Sequence, residues 1–180
     1  MQTLDQANKR VADLYWLAFL LTGDREPSVG AALPVLDFEG GANSFFSTWM
    51  LGWSRRMVIA KALAAVRDEL AASARRTASK RAEKADLPPR NWVLDRDTTK
   101  IQLERALLAM DVFPRCALLL SVFEGMSLED AAILLDADRD LVWKARLIGL
   151  QELTVNLARM QGWTPPATQS DVLTSEMPRA

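Results

Sequence analysis

Histidine is absent from the 180-residue chain, and cysteine occurs once, as Cys116. Zinc sites of the usual Cys/His kind therefore cannot be assembled. Ser-His-Asp and Cys-His nucleophilic machinery is excluded as well. A lone cysteine cannot form a disulfide within the chain, so a reducing compartment is the default. No Gly-rich phosphate loop is present, and no pair of acids stands out in an apolar setting. The expectation is a protein that is not an enzyme and holds no cofactor or metal. Long apolar runs are lacking too. The stretch from Leu14 to Leu21 is far too short to span a bilayer. The opening MQTLDQANKR has no basic-then-apolar plan of a signal peptide. A cytoplasmic chain without membrane insertion is expected.

Excess charge is also missing, because the formal net charge is −1. A chain that held nucleic acid through a broad basic surface would be more positive. The distribution is more telling than the sum. Residues 1–74 carry 7 basic and 8 acidic side chains, residues 75–105 carry 9 and 5, and residues 106–180 carry 6 and 10. Positive charge gathers in the middle, and the C-terminal part is net acidic.

What is present is apolar and helical in spacing. The hydrophobic fraction is 49%, enough to bury a core. Leu4, Ala7, Val11, Leu14, Ala18 and Leu21 fall on one stripe, and Gly23 follows as a stop, which predicts a helix from Leu4 to Thr22. Residues 26–36 predict only a short, broken or kinked helix, since Gly30 costs about 1 kcal/mol and Pro34 about 3 kcal/mol in a helix interior. A loop at residues 39–43 precedes a long helix over Ser44 to Ala74. On that helix Phe46, Trp49, Met50, Trp53, Met57, Ala60 and Ala64 share a face. Such a face admits a base-stacking role or core packing, and apolar stripes usually meet a core.

Residues 75–97 are charged, rich in small residues, and contain Pro88-Pro89. They read as a linker into which the preceding helix frays. Their cluster of Arg75, Arg76, Lys80, Arg81, Lys84 and Arg90 admits two readings, phosphate contact or a solvated linker. Beyond it, Ile101 to Met110 predicts a short helix. Asp111 caps the next, which has Pro114 near its first turn and Cys116 as a small buried hydrophobe. Gly125 ends that helix. Ser127 caps another that runs to Leu135, Asp136-Ala137-Asp138 forms a turn, and a last helix covers residues 139–160. The fold class is therefore all-α. Two small helical domains, residues 1–74 and 98–162, are joined by the linker 75–97, and residues 163–180 form a loose tail.

A capped short helix, a tight turn and a longer amphipathic helix make a helix-turn-helix candidate. In that unit the second helix lies in the major groove and its leading residues meet base edges. Here Arg139, Lys144 and Arg146 would make those contacts, while Asp136, Asp138 and Asp140 would repel phosphates.

The stretch from Ala106 to Leu153 resembles the C-terminal DNA-binding domain of extracytoplasmic-function RNA polymerase sigma factors. Phe123 to Ala132, the pair Leu134-Leu135, and Lys144-Ala145-Arg146-Leu147 carry the likeness. Leu14 to Asp24 is similar to the opening of the same family, as is Phe46-Ser47-Thr48-Trp49-Met50. The resemblance implies domains like sigma regions 2 and 4. It implies a transcription-initiation protein that binds core RNA polymerase and promoter DNA. Arg139, Lys144 and Arg146 would serve at a −35-like element, and Arg55 and Arg56 at a −10-like element. The chain departs from the family pattern at Gly30 to Pro34, where the family carries the acid and Gln that meet the polymerase clamp. It departs again in the Asp-rich turn and at Ile148-Gly149-Leu150-Gln151, where trailing cations are usual. These departures imply the alternative of a sigma mimic that binds an anti-sigma factor or another regulatory protein without recruiting polymerase.

Overall fold

A computed structural model describes residues 2–36, 44–80, 87–89, 92–94 and 98–165. The expected loop at residues 39–43, most of the expected linker, the tail from residue 166, and the side chains of Leu4, Ala7, Phe46, Trp49 and Met50 lie outside the described residues. The described residues are helical, with no strand among them: α1 (Gln2–Thr22), α2 (Arg25–Leu36), α3 (Ser44–Ala65), α4 (Arg67–Ser79), α5 (Lys100–Leu108), α6 (Val112–Leu118), α7 (Leu128–Leu135) and α8 (Arg139–Met160). The all-α class is as expected. No described helix is long and apolar enough to cross a membrane.

The first helix ends where its glycine sits. Gly23 adopts φ +79°, and its N–H reaches the Phe19 carbonyl at 2.8 Å. A side chain there would be strained by the left-handed backbone. It would also meet the Arg115 guanidinium, since a Cβ would lie 3.1 Å from Nη2. Of the predicted stripe, Leu14, Ala18 and Leu21 are buried and Val11 is exposed.

Helix α2 is short, as one form of the expectation had it, but it is not broken. It runs unbroken through Gly30 and Pro34 to Leu36. Pro34 stands near the C-terminal end and removes one bond, the one to the Gly30 carbonyl. Gly30 is exposed, with nothing within 4 Å of where a Cβ would lie. Water can take the freed carbonyl and the backbone has room to yield, so the penalty falls short of that for a buried helix interior.

The expected long helix from residue 44 to 74 is two helices, broken at Val66, whose backbone sits at φ −113°, ψ 19°. Neither Gly nor Pro marks the break, so local sequence carried no signal of it. The buried face of α3 also differs from the aromatic stripe. Val58, Ile59, Ala62 and Leu63 are buried, whereas Ala60 and Ala64 are exposed and Trp53 and Met57 are half-buried. Val58, Ile59 and Leu63 remove more apolar area from water than Ala60 and Ala64 would in their place.

Helix α4 extends past Ala74 to Ser79, so the first five residues of the expected linker belong to the fold. It packs on α6 and α8. Its buried face is Leu70, Ser73 and Thr77. The Ser73 hydroxyl accepts the Phe113 N–H at 3.0 Å, and the Arg76 guanidinium forks onto Asp111 at 2.9 and 2.7 Å. Lys80 reaches Glu152 at 2.9 Å. Three residues of the expected basic linker cluster are thus described, and two of them are paired. Arg75 is exposed.

Helix starts downstream follow their caps. Thr99 and Gln102 form a capping box on α5. The Asp111 carboxylate accepts the Val112 N–H at 2.9 Å and opens α6. The end of α6 loosens into a π-helical turn over Leu119–Phe123, with Glu124 N–H bonded to the Leu119 carbonyl at 2.9 Å. The buried side chains form one continuous cluster, from Leu14 of α1 through Phe113, Leu118 and Leu120 to Leu157 of α8. Cys116 is buried in it, as expected, and burial pushes its thiol up to about 12.

Asp111 ties acid stability to this packing. The Arg76 guanidinium, then Ser73 and the Val112 N–H, hold its carboxyl below the ordinary value. A depressed carboxyl contributes stability above its unfolded pKa of about 3.9, and that contribution is lost as pH falls through the lower folded value. The wild-type chain is therefore expected to lose stability below about pH 4 more steeply than Asp111→Asn, which keeps a capping side chain. Denaturant midpoints measured between neutral and acid pH test this. Equal slopes for the two proteins would refute it.

Candidate functional site

Residues 127–160 form a capped short helix, a turn and a long helix. The Ser127 hydroxyl accepts the Asp130 N–H at 3.0 Å and starts α7. Asp136 ends α7 in the left-handed region, at φ 49°, ψ 50°. Asp tolerates that region better than most residues because its side chain is short and polar. The Ala137 N–H closes on the Ala132 carbonyl at 3.1 Å, and α8 begins at Arg139. Ala131 and Leu135 of α7 and Val142 and Ala145 of α8 are buried, which sets the two helices against the core.

The five expected DNA-contact residues do not gather on one free surface. Arg139 is exposed, and its Nε meets Glu129 Oε1 at 2.6 Å, within the helix-turn-helix. Lys144 turns away along α8 and donates to the Ala78 carbonyl at 2.9 Å. There it places a cation at the C-terminal end of α4, where the helix dipole favours one. Arg146 is half-buried, and its Nε is buried without a hydrogen-bond partner. Arg55 forks onto Glu124 at the end of the π-helical turn, with Nε 2.9 Å from Oε2 and Nη2 on Oε1. That carboxylate hydrogen bond, reinforced by its charge, holds the Arg55 pKa above its ordinary value. Arg56 is exposed.

Two of these contacts join the N-terminal and C-terminal halves. So do the Trp16 Nε1–H on Glu104 at 3.0 Å, Lys100 over the Trp16 ring at 4.4 Å, and the Cys116 thiol on the Leu21 carbonyl at 3.5 Å. Sequence reasoning did not foresee them. Glu124 lies in the very motif that carried the resemblance, but its partner stands 69 positions earlier in the chain, and no local pattern links the two.

The outward side of α8 carries large apolar side chains. Val142, Leu153 and Leu157 are buried as an amphipathic helix requires, yet Trp143 is 53% exposed, with Leu147 and Leu150 also exposed. Ile133 on α7 is 79% exposed. It lines a shallow hollow of about 510 Å³ together with Ala132, Asp136, Ala137 and Asp138. The described residues contain no group of three or more Cys, Asp or Glu placed to hold a metal ion. No family model, curated protein sequence or solved structure matches this chain.

Proposed function

We propose that this chain is a sigma-like regulator of transcription initiation that acts by binding a regulatory protein, as a mimic that occupies an anti-sigma factor. The likeness of residues 14–24 and 106–153 to extracytoplasmic-function sigma factors supports the sigma-like part. The observation that carries the mode of action is the occupation of three of the five expected DNA-contact cations. Arg55 is held by Glu124, Lys144 by the Ala78 carbonyl, and Arg139 by Glu129. Lys144 reaches the C-terminal end of α4, a helix that packs on α8. A DNA-reading surface loses affinity with each phosphate contact forgone. A protein-binding surface needs only the packed helices.

A second reading, a sigma factor that binds core polymerase and a promoter, is favoured by the retained helix-turn-helix and by the exposed Arg56. The two readings separate in one experiment. Purified chain is offered core RNA polymerase, and in parallel the sigma-binding domains of anti-sigma factors from the same cells, at physiological salt. A typical sigma factor of this class serves as the control. Capture of an anti-sigma domain with no polymerase retained is the expected result. Polymerase retention at the level of the control would replace the mimic reading with the sigma-factor reading.

A further inference from the structure

Consecutive helices α7 and α8 both leave large apolar side chains exposed. Trp143, Leu147 and Leu150 are spaced by four and three, so they share a stripe. Arg139 stands four residues before Trp143 on that stripe, and Ile133 stands four residues after Glu129 on α7. The Arg139–Glu129 ion pair therefore links the exposed sides of α7 and α8, with Ile133 near the turn and Trp143 one helical turn beyond Arg139. These four apolar side chains are exposed while the opposite face of α8 is packed on α6. Asp136, three residues after Ile133, and Asp140, three before Trp143, border the patch, and both are exposed. Arg139 is neutralised by its partner, and Lys144 points to α4. By the same spacing Arg146, three residues after Trp143, also borders the patch, so two carboxylates stand there against one cation outside the Arg139–Glu129 pair.

We infer that this α7–α8 face is a docking surface for a cationic amphipathic helix of a partner protein. The inference rests on the protein-binding reading and adds the chemistry of the partner. A phosphate backbone would meet Asp136 and Asp140 and gain nothing from four apolar side chains. A helix with apolar residues at i, i+3, i+4 and i+7 would cover Ile133, Trp143, Leu147 and Leu150. Its flanking Lys or Arg side chains would meet the two carboxylates, which set orientation and partner choice. Trp143 is the anchor, because a large flat ring loses little rotamer freedom when it is covered. From Arg139 to Leu150 the stripe runs about 17 Å, a match for roughly three turns of a docked helix.

The probes are synthetic helical peptides that share one apolar stripe and differ in their flanks, which are all Lys or all Glu, together with a duplex DNA. Binding to the full chain is read by fluorescence anisotropy of the labelled probe. The Lys-flanked peptide is expected to bind at least about tenfold more tightly than the Glu-flanked one. Trp143→Ala is expected to weaken it by about tenfold. The double variant Asp136→Asn/Asp140→Asn is expected to abolish the charge preference while keeping affinity for the apolar stripe. Ile133→Ala, on the other helix, supplies an independent reading should Trp143→Ala disturb α8. Equal binding of both peptides, affinity indifferent to Trp143→Ala and Ile133→Ala, or displacement of the peptide by duplex DNA would overturn the inference. Polymerase retention with the peptide preference intact would overturn the mimic reading and leave this face standing. Capture of an anti-sigma domain that is indifferent to Trp143→Ala would do the reverse.

Discussion

Replacing Phe113 with alanine is expected to destabilise the whole chain by about 3–5 kcal/mol, the range for emptying a buried aromatic site. Phe113 is fully buried, and its amide is bonded to Ser73 of α4. It thus sits where the two halves of the chain meet, inside a core that contains Leu14 and Leu157 alike. Proteins of this size have only about 5–15 kcal/mol of stability in total, so the loss is a large fraction. The informative part is cooperativity. One shared core predicts that far-UV ellipticity and tryptophan fluorescence shift together, with a single midpoint moved to lower denaturant. Two transitions, of which only one moves, would show that the halves are separate folding units and that their contacts contribute little.

Gly149→Ala is the second large effect, and its cause is crowding rather than a cavity. Gly149 lies on the buried side of α8. A Cβ added there would stand 2.8 Å from the Pro114 carbonyl oxygen, 3.2 Å from Leu118 Cβ and 3.2 Å from Met110 Cε. Met110 can swing aside, but the Pro114 oxygen is backbone within α6 and cannot. Helix propensity favours alanine over glycine by about 1 kcal/mol at an open site. Here steric strain of about 1–3 kcal/mol opposes that gain, and the clash is with backbone. A net fall in melting temperature of several degrees is expected, at roughly 2–4 °C per kcal/mol for a chain of this size. A rise instead would mean that α8 can slide outward and that the close approach of α6 and α8 is not needed. Gly52 makes the control, since a Cβ there meets nothing within 4 Å. Gly52→Ala should be neutral or mildly stabilising.

Much of this architecture was legible in the chain itself because the signals are local. Asp111 and Ser127 start helices by taking a backbone N–H only one to three residues on, and Gly23 stops one through a left-handed φ that glycine accepts freely. The spacing of Leu14, Ala18 and Leu21 marked a buried face correctly. On α3 the expected face held only in part among the described residues, with Trp53 and Met57 half-buried and Ala60 and Ala64 exposed, because residues 46–64 offer two apolar faces and periodicity does not say which one a neighbour covers. The break at Val66 had no glycine or proline to announce it.

The candidate site divides in the same way. Composition excluded zinc and His-dependent chemistry before any fold was known, and the spacing of residues 127–160 placed a capped helix, a turn and a long helix in order. Those properties belong to one stretch of backbone, so the sequence by itself determined them. Which cations remain available was decided by tertiary structure. Arg55 and Glu124, and Lys144 and Ala78, are neighbours only because α3, α4 and the α6–α8 segment share a core. The same packing leaves Trp143, Leu147 and Leu150 outside while it buries Val142, Leu153 and Leu157 of the same helix. An amphipathic pattern states that a face is apolar. Only the surface a helix meets, through the area it removes from water, determines which face is covered and which is left for a partner.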